Sequence, residues 1–163
     1  MHELHEAIQL ARKIDQAVPD SFRAKPKIDF LSLYDMLILD DGLRTATRKL
    51  YRNGHYSESV FAAFKYVNNA VKTKTGLRID GDNLMRNVFS AKSPVLRVNE
   101  GTSVSDNDEQ QGYMEIFAGV MKGIRNPRGH EDERGDTENK ALSMIAIAQH
   151  LCEVVAESSK VQV

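Results

Sequence analysis

Apolar positions recur at three- and four-residue intervals along most of the chain, the period of a helix that buries one face. Leu4, Ile8, Ala11, Ile14 and Val18 open the series, and Pro19 and Pro26 bracket the polar connection that follows. IDFLSLYDMLIL, residues 28–39, is apolar without a decided period and is read as a short helix. Leu43, Ala46 and Leu50 form the next stripe, which stops at Asn53-Gly54, a helix C-terminal signal. Tyr56, Val60, Ala63, Phe64, Val67 and Val71 line one face of a longer helix that runs to Gly76. From Asp80 to Asp108 the chain turns polar and glycine-containing, with a short helix expected near Leu84–Phe89 and a brief extended piece at Val95–Val98. Tyr113, Ile116, Phe117, Val120, Met121 and Ile124 restart a helical stripe. After the acidic loop EDERGD, Asp136 is placed to cap a last helix carrying Leu142, Ile145, Ala148, Cys152 and Val155. No set of strands is large enough to build a sheet, so the pattern predicts an all-α helical bundle with a long C-terminal helix pair around residues 110–158. The proline-bracketed connection divides the chain into an N-terminal helix or arm with its linker, residues 1–26, and a helical domain, residues 27–163.

Composition narrows this picture. The chain has 163 residues, 41% hydrophobic and 28% charged, enough for one domain with a single core. Nothing approaches the length of apolar sequence that spans a bilayer, and the acidic N-terminus lacks the uninterrupted apolar core of a signal peptide. A lone cysteine, Cys152, forms no disulfide within the chain and fits a reducing cytoplasm; its place in an apolar stripe reads as packing. The expected location is cytoplasmic, without a membrane partner. With a net charge of −1, no global field draws the protein onto nucleic acid, and any phosphate contact has to come from a local cluster.

One cluster stands out, in GIRNPRGHED at residues 123–132. Arg125, Asn126, Arg128 and His130 crowd around Pro127 and Gly129 at the end of a helical stripe. On a continuous α-helix, residues five apart lie about 140° from each other, so Arg125 and His130 would face different sides. Pro127 disfavours the α conformation at Asn126, and Gly129 adds freedom. The expectation is therefore that Arg125 closes one helix while His130 folds back beyond a tight turn. Two readings are open at this point. Cations near a helix C-terminus favour its dipole, and both arginines can pair with Glu131, Asp132 or Glu133. Alternatively, a histidine moves protons and an arginine holds a phosphate bidentately while charge develops on it. That set suffices for metal-free RNA cleavage through a 2′,3′-cyclic phosphate.

At these residues the sequence resembles the HEPN superfamily, whose ribonucleases carry Arg, four to six intervening residues and His. Arg125-Asn126-Pro127-Arg128-Gly129-His130 matches the four-spacer form, including the favoured Asn after Arg. YRNGHYSESV at 51–60, GDNLMRNVFS at 81–90 and GYMEIFAGVMKGIRNPRGH at 112–130 are similar to its Ymh-type branch of phage-, plasmid- and defence-associated bacterial proteins. The likeness covers roughly residues 39–158. It implies a HEPN-like all-α fold, a homodimer, and an interfacial cleft where two Arg/His sets meet. It also implies a metal-independent endoribonuclease of a toxin–antitoxin or abortive-infection system. Arg125 and His130 would be catalytic, Asn126 would orient them, and RNA and an antitoxin or other regulatory protein would be the partners. Arg128 is added on charge and proximity as an RNA phosphate contact. Where some HEPN toxins carry a modifiable tyrosine, two residues after the histidine, this chain has Asp132 and departs from the pattern.

Other constellations carry less chemistry. His2 and His5 have a spacing compatible with a metal on a helix face, but two ligands do not make a site. HEDE at 130–133 lacks the second histidine of a zinc helix motif. His55 is read as packing or helix capping, His150 as surface or satisfied core, and Lys65, Lys72 and Lys74 as a solvated face. No cofactor or metal is expected. Two functions of other classes remain beside the nuclease. One is a catalytically silent HEPN module that binds RNA or nucleotide or serves dimerisation; the other is a scaffold whose N-terminal arm grips a partner.

Overall fold

The computed structural model describes Glu6, Gln9, Leu10, Lys13, residues 29–130 (of His130 the backbone only) and residues 135–161. The four N-terminal positions are helical and exposed; the rest of the expected arm, with His2, His5 and the Pro19–Pro26 connection, lies outside the described residues.

The domain is an all-α bundle. Its helices are α1 (Phe30–Leu37), α2 (Asp41–Arg52), α3 (Tyr56–Thr75), α4 (Gly81–Val88), α5 (Val104–Val120), α6 (Asn126–His130) and α7 (Glu138–Glu157). Between α5 and α6 the backbone adopts one wider π turn, Met121–Arg125. The strands are two-residue pieces, β1 (Leu96–Arg97) and β2 (Ser159–Lys160), paired antiparallel.

The stripe read on α3 becomes the centre of the core. Val60, Ala63, Phe64, Val67 and Val71 are fully buried, packed chiefly against α2 and α7. Burying a side chain such as Phe64 contributes about 1.5–3 kcal/mol relative to leaving it exposed. α3 ends at Gly76, in the left-handed conformation at φ 79°, as its sequence signal required. Lys74 on its last turn donates to the carbonyls of Val155 and Ala156 at the end of α7. Two side-chain amides bolt the loops to this core. Buried Gln110 accepts from Val98 N–H and donates to the Phe89 and Leu96 carbonyls. Gln149 accepts from Leu39 and Asp40 N–H.

Several expectations need correcting. α5 starts at Val104, inside the stretch read as turn, because Ser103 and Asp106 form a reciprocal capping box. The cap of α7 is Thr137, not Asp136; the Asp136 carboxylate is engaged elsewhere. The tight turn expected at Pro127 is also absent. Asn126 is helical at φ −59°, ψ −45°, and its N–H donates to Met121 O, five residues back. In a regular α-helix the ring of Pro127 would press on the carbonyl of Gly123 and take away its donor. The π turn sits immediately before the proline, where one more residue per turn widens the backbone.

Candidate active site

Arg125 is the last residue of the π turn, and His130 ends α6. The Arg125 guanidinium lies over the Phe61 ring, 5.6 Å from its centroid. Its Nε is buried and has no hydrogen-bond partner among the described residues. On the other side it approaches the start of α4: a Cβ at Gly81, which sits at φ +67°, would stand 4.0 Å from Nη1.

The nearby acid is Asp80, and its oxygens are already taken. Asn68 Nδ2 donates to Oδ1 at 2.9 Å, and Lys72 Nζ binds both oxygens at 3.0–3.1 Å. These hydrogen bonds, Asn68 first and then Lys72, hold the Asp80 carboxyl below its ordinary range against the opposing effect of desolvation, and the charges of Lys72 and, last, Arg125 add to the lowering. Asn68 also accepts from Gly81 N–H at 3.0 Å, fixing the α4 entry. Arg125 is thus a cation with an aromatic floor, a desolvated donor and, among the described residues, no bonded acid.

Arg128, three residues on, is the opposite. Its side chain is 2% exposed, and that of its partner Asp136 is fully buried. Nε and Nη2 donate to the two Asp136 oxygens at 2.6 and 2.9 Å, and Nη1 donates to Ile124 O at 2.7 Å. Ser57 and Lys140 also bind the Asp136 carboxylate, at 3.0 and 3.1 Å. Burial pushes this carboxyl up, yet the hydrogen bonds from Arg128, Lys140 and Ser57 prevail and hold it at about 2. Three donors of the Arg128 fork, read in the sequence as an RNA phosphate contact, are thus engaged inside the protein. The acids that adjacency suggested, Glu131, Asp132 and Glu133, lie outside the described residues.

Gly129 also has a different task from the one read in the sequence. It is helical, and a Cβ there would meet Phe61 Cε2 at 2.9 Å. The glycine lets α6 settle on the ring that carries Arg125. Phe61 is the residue sequence reading missed. The available signal was an aromatic beside the α3 stripe, next to Val60 and off the core face.

The remaining candidates fall into place. His55 takes the N-cap position of α3 without a side-chain cap bond and is exposed 3.7 Å from Glu58. His150 is exposed, its Nε2 3.1 Å from the Tyr113 hydroxyl. Cys152 is buried, which pushes its thiol up to about 12 and leaves it inert packing. Lys72 and Lys74 are engaged by Asp80 and by the α7 carbonyls. Among the described residues no three His, Cys, Asp or Glu side chains converge as a metal-binding group, and no helix is long and apolar enough to cross a membrane.

Fold and site together define an all-α helical domain that holds an unsatisfied arginine at the head of a short proline-containing helix ending in histidine. Over residues 38–155 the chain matches the family described as "Protein of unknown function (Hypoth_ymh)", and it belongs to that family. The match takes in everything from α2 to the last turn of α7. No curated protein and no solved structure matches the chain.

Proposed function

We propose that the protein is a metal-independent endoribonuclease of the HEPN type. It acts as a homodimer whose two Arg125/His130 sets meet across the interface, in a toxin–antitoxin or abortive-infection system under the control of an antitoxin or other regulatory protein. The observation that carries this reading is Arg125 itself. A guanidinium with a buried, unbonded Nε is costly unless a ligand completes it, and an RNA phosphodiester is the ligand its planar fork fits.

The chemistry is a transesterification. A neutral His130 takes the proton of a ribose 2′-hydroxyl, and the oxygen attacks the adjacent phosphorus. Arg125 binds the non-bridging oxygens as negative charge gathers on them. The 5′-oxygen leaves with a proton from the protonated histidine of the second set. The products are a 2′,3′-cyclic phosphate and a 5′-hydroxyl end. Asn126, beside Arg125 at the head of α6, orients the pair.

The test is cleavage of labelled RNA by purified protein in excess EDTA, wild type beside His130→Ala, with oligomeric state measured on the same samples. Degradation by the wild type alone, leaving cyclic-phosphate ends, is the expected outcome. Equal degradation in both lanes removes the reading of residues 125–130. Intact RNA in both moves the assignment to a silent module for RNA binding or dimerisation. Full activity from a monomer removes the composite site.

A further inference from the structure

A second arginine shares the condition of Arg125. Arg97, on β1, makes no hydrogen bond or ion pair through its side chain among the described residues, and its Nη1 is buried without a partner. It borders two adjoining cavities of about 540 and 460 Å³, which have Arg97, Lys160 and Val161 in common. Lys92 is among the residues lining the smaller cavity, and Glu100 and Glu157 are among those lining the larger.

The chain packs closely around this guanidinium. Arg97 is paired with Ser159 in the strand register, which brings Lys160 of β2 alongside. Gly101, at φ +67°, lies so close to the guanidinium that a Cβ there would collide with Nη1. The loop that carries Gly101 is fixed twice: Asn99 Oδ1 accepts from Gly101 N–H at 3.1 Å, and Asn99 Nδ2 donates to Asp106 O and Glu109 at 2.8 and 2.9 Å. Both flanks of Arg97 are thereby held: Nη1 is packed on Gly101, and none of its donors is hydrogen-bonded among the described residues.

We propose that this cavity is a binding site for a phosphate group carried by a small hydroxyl-bearing molecule, a sugar phosphate monoester, with Arg97 and Lys160 on the phosphate and Glu100 and Glu157 accepting from the hydroxyls. The guanidinium fork and the ammonium supply charge-assisted donors to phosphate oxygens. The two glutamates decide against a nucleic-acid strand. A polyanion would carry further phosphates past them, whereas a monoester brings one phosphate and hydroxyl donors that carboxylates accept. The cavity is far larger than one phosphate requires, which leaves space for the sugar. This site stands apart from the Arg125 cluster and does not rest on the nuclease reading.

The experiment is calorimetric titration of the full-length protein with ribose 5-phosphate, ribose, inorganic phosphate and a short RNA. The variants are Arg97→Gln, Lys160→Gln and, as a control on an exposed arginine of α4, Arg86→Gln. Saturable binding of ribose 5-phosphate, at least tenfold tighter than inorganic phosphate, is expected for wild type and Arg86→Gln. Arg97→Gln should lose it, and Lys160→Gln should weaken it three- to tenfold. If Arg97→Gln does not fold, Lys160→Gln at its exposed position still decides. Equal affinity for inorganic phosphate would overturn the sugar ester and name the free anion. Preference for the RNA, retention of binding in Arg97→Gln and Lys160→Gln, or no saturable binding of any phosphate would overturn the site.

Discussion

Arg125 and Arg128 stand three residues apart at the junction of the π turn with α6, and the bundle treats them in opposite ways. Arg128 gives three donors to Asp136 and Ile124 and is closed off from water. Among the described residues Arg125 gives none to an acid; the nearby carboxylate, Asp80, is occupied by Asn68 and Lys72. Helix-terminus electrostatics would favour both cations about equally, so position on the dipole does not explain the difference. What separates them is the second layer: Asp136 is brought to one, and a phenyl ring with a hydrogen-bonded asparagine–aspartate pair is brought to the other. A motif of charged residues is therefore not one functional unit. Arg128 holds α6 to the start of α7, and Arg125 is left with unused hydrogen-bonding capacity.

Four variants bear on this contrast. The largest effect is expected from Arg125→Ala, which should cut RNA cleavage by about 10²–10³-fold, the scale of losing a charge-stabilising donor. Its unfolding free energy should change by no more than about 1 kcal/mol, the loss of an arginine–aromatic contact. A denaturant midpoint that collapses with activity would place Arg125 among structural residues and dissolve the contrast. Next, Arg128→Ala leaves the Asp136 carboxylate buried with its principal partner gone and should destabilise the fold by about 3–5 kcal/mol, read from urea denaturation. If the protein stays as stable as wild type while RNA affinity drops, the roles of the two arginines are reversed.

Acid titration sharpens the Arg128 half. Asp136 sits at about 2 in the folded protein, against roughly 3.9 in an unfolded chain. The folded state thus binds its proton less readily, so the contribution to stability is complete above about pH 5 and is lost as pH falls towards 2. Linkage puts it at roughly 2–3 kcal/mol. A paired Arg128→Met, Asp136→Leu variant should show a flatter stability profile between pH 5 and 2; an unchanged slope would assign the acid sensitivity to other carboxylates. The smallest effect is expected from Gly129→Ala. The added methyl displaces the Phe61 ring edge, costing about 1–2 kcal/mol and weakening cleavage severalfold by moving the floor under Arg125. A crystal structure of the variant with Phe61 and Arg125 unmoved would disconnect that ring from the site.

The bundle was largely legible because its signals are local and repeated. The α3 stripe, its stop at Gly76 and the late α7 stripe all rest on spacing within one element. The site was legible as a string of residue types and not as an arrangement. Arg128 finds Asp136 eight residues away, beyond the acids that adjacency suggested, and that engagement is why Thr137 caps α7. The π turn leaves no periodic mark, since the apolar stripe runs through Met121 and Ile124 regardless. The two-residue strand pair joins segments more than sixty positions apart, 96–97 and 159–160, and neither is long enough to alternate. Phe61 was hidden for a related reason: its value depends on Gly129, far along the chain, having no side chain.

The wide turn at 121–125 has a consequence for how this chain can change. It inserts one residue into a rod that otherwise continues without a break from α5 into α6. The wide turn absorbs that residue locally, because Asn126 N–H reaches Met121 O five positions back and α6 keeps nearly the phase of an α-helix one residue shorter. Deleting a single residue between Met121 and Asn126 would turn that bond into an ordinary four-residue one and leave Arg128 near Asp136 and Gly129 near Phe61. What the deletion removes is the local bulge that presents Arg125. Such a shortened variant should still fold, with the loss falling on Arg125 and its contact with Phe61.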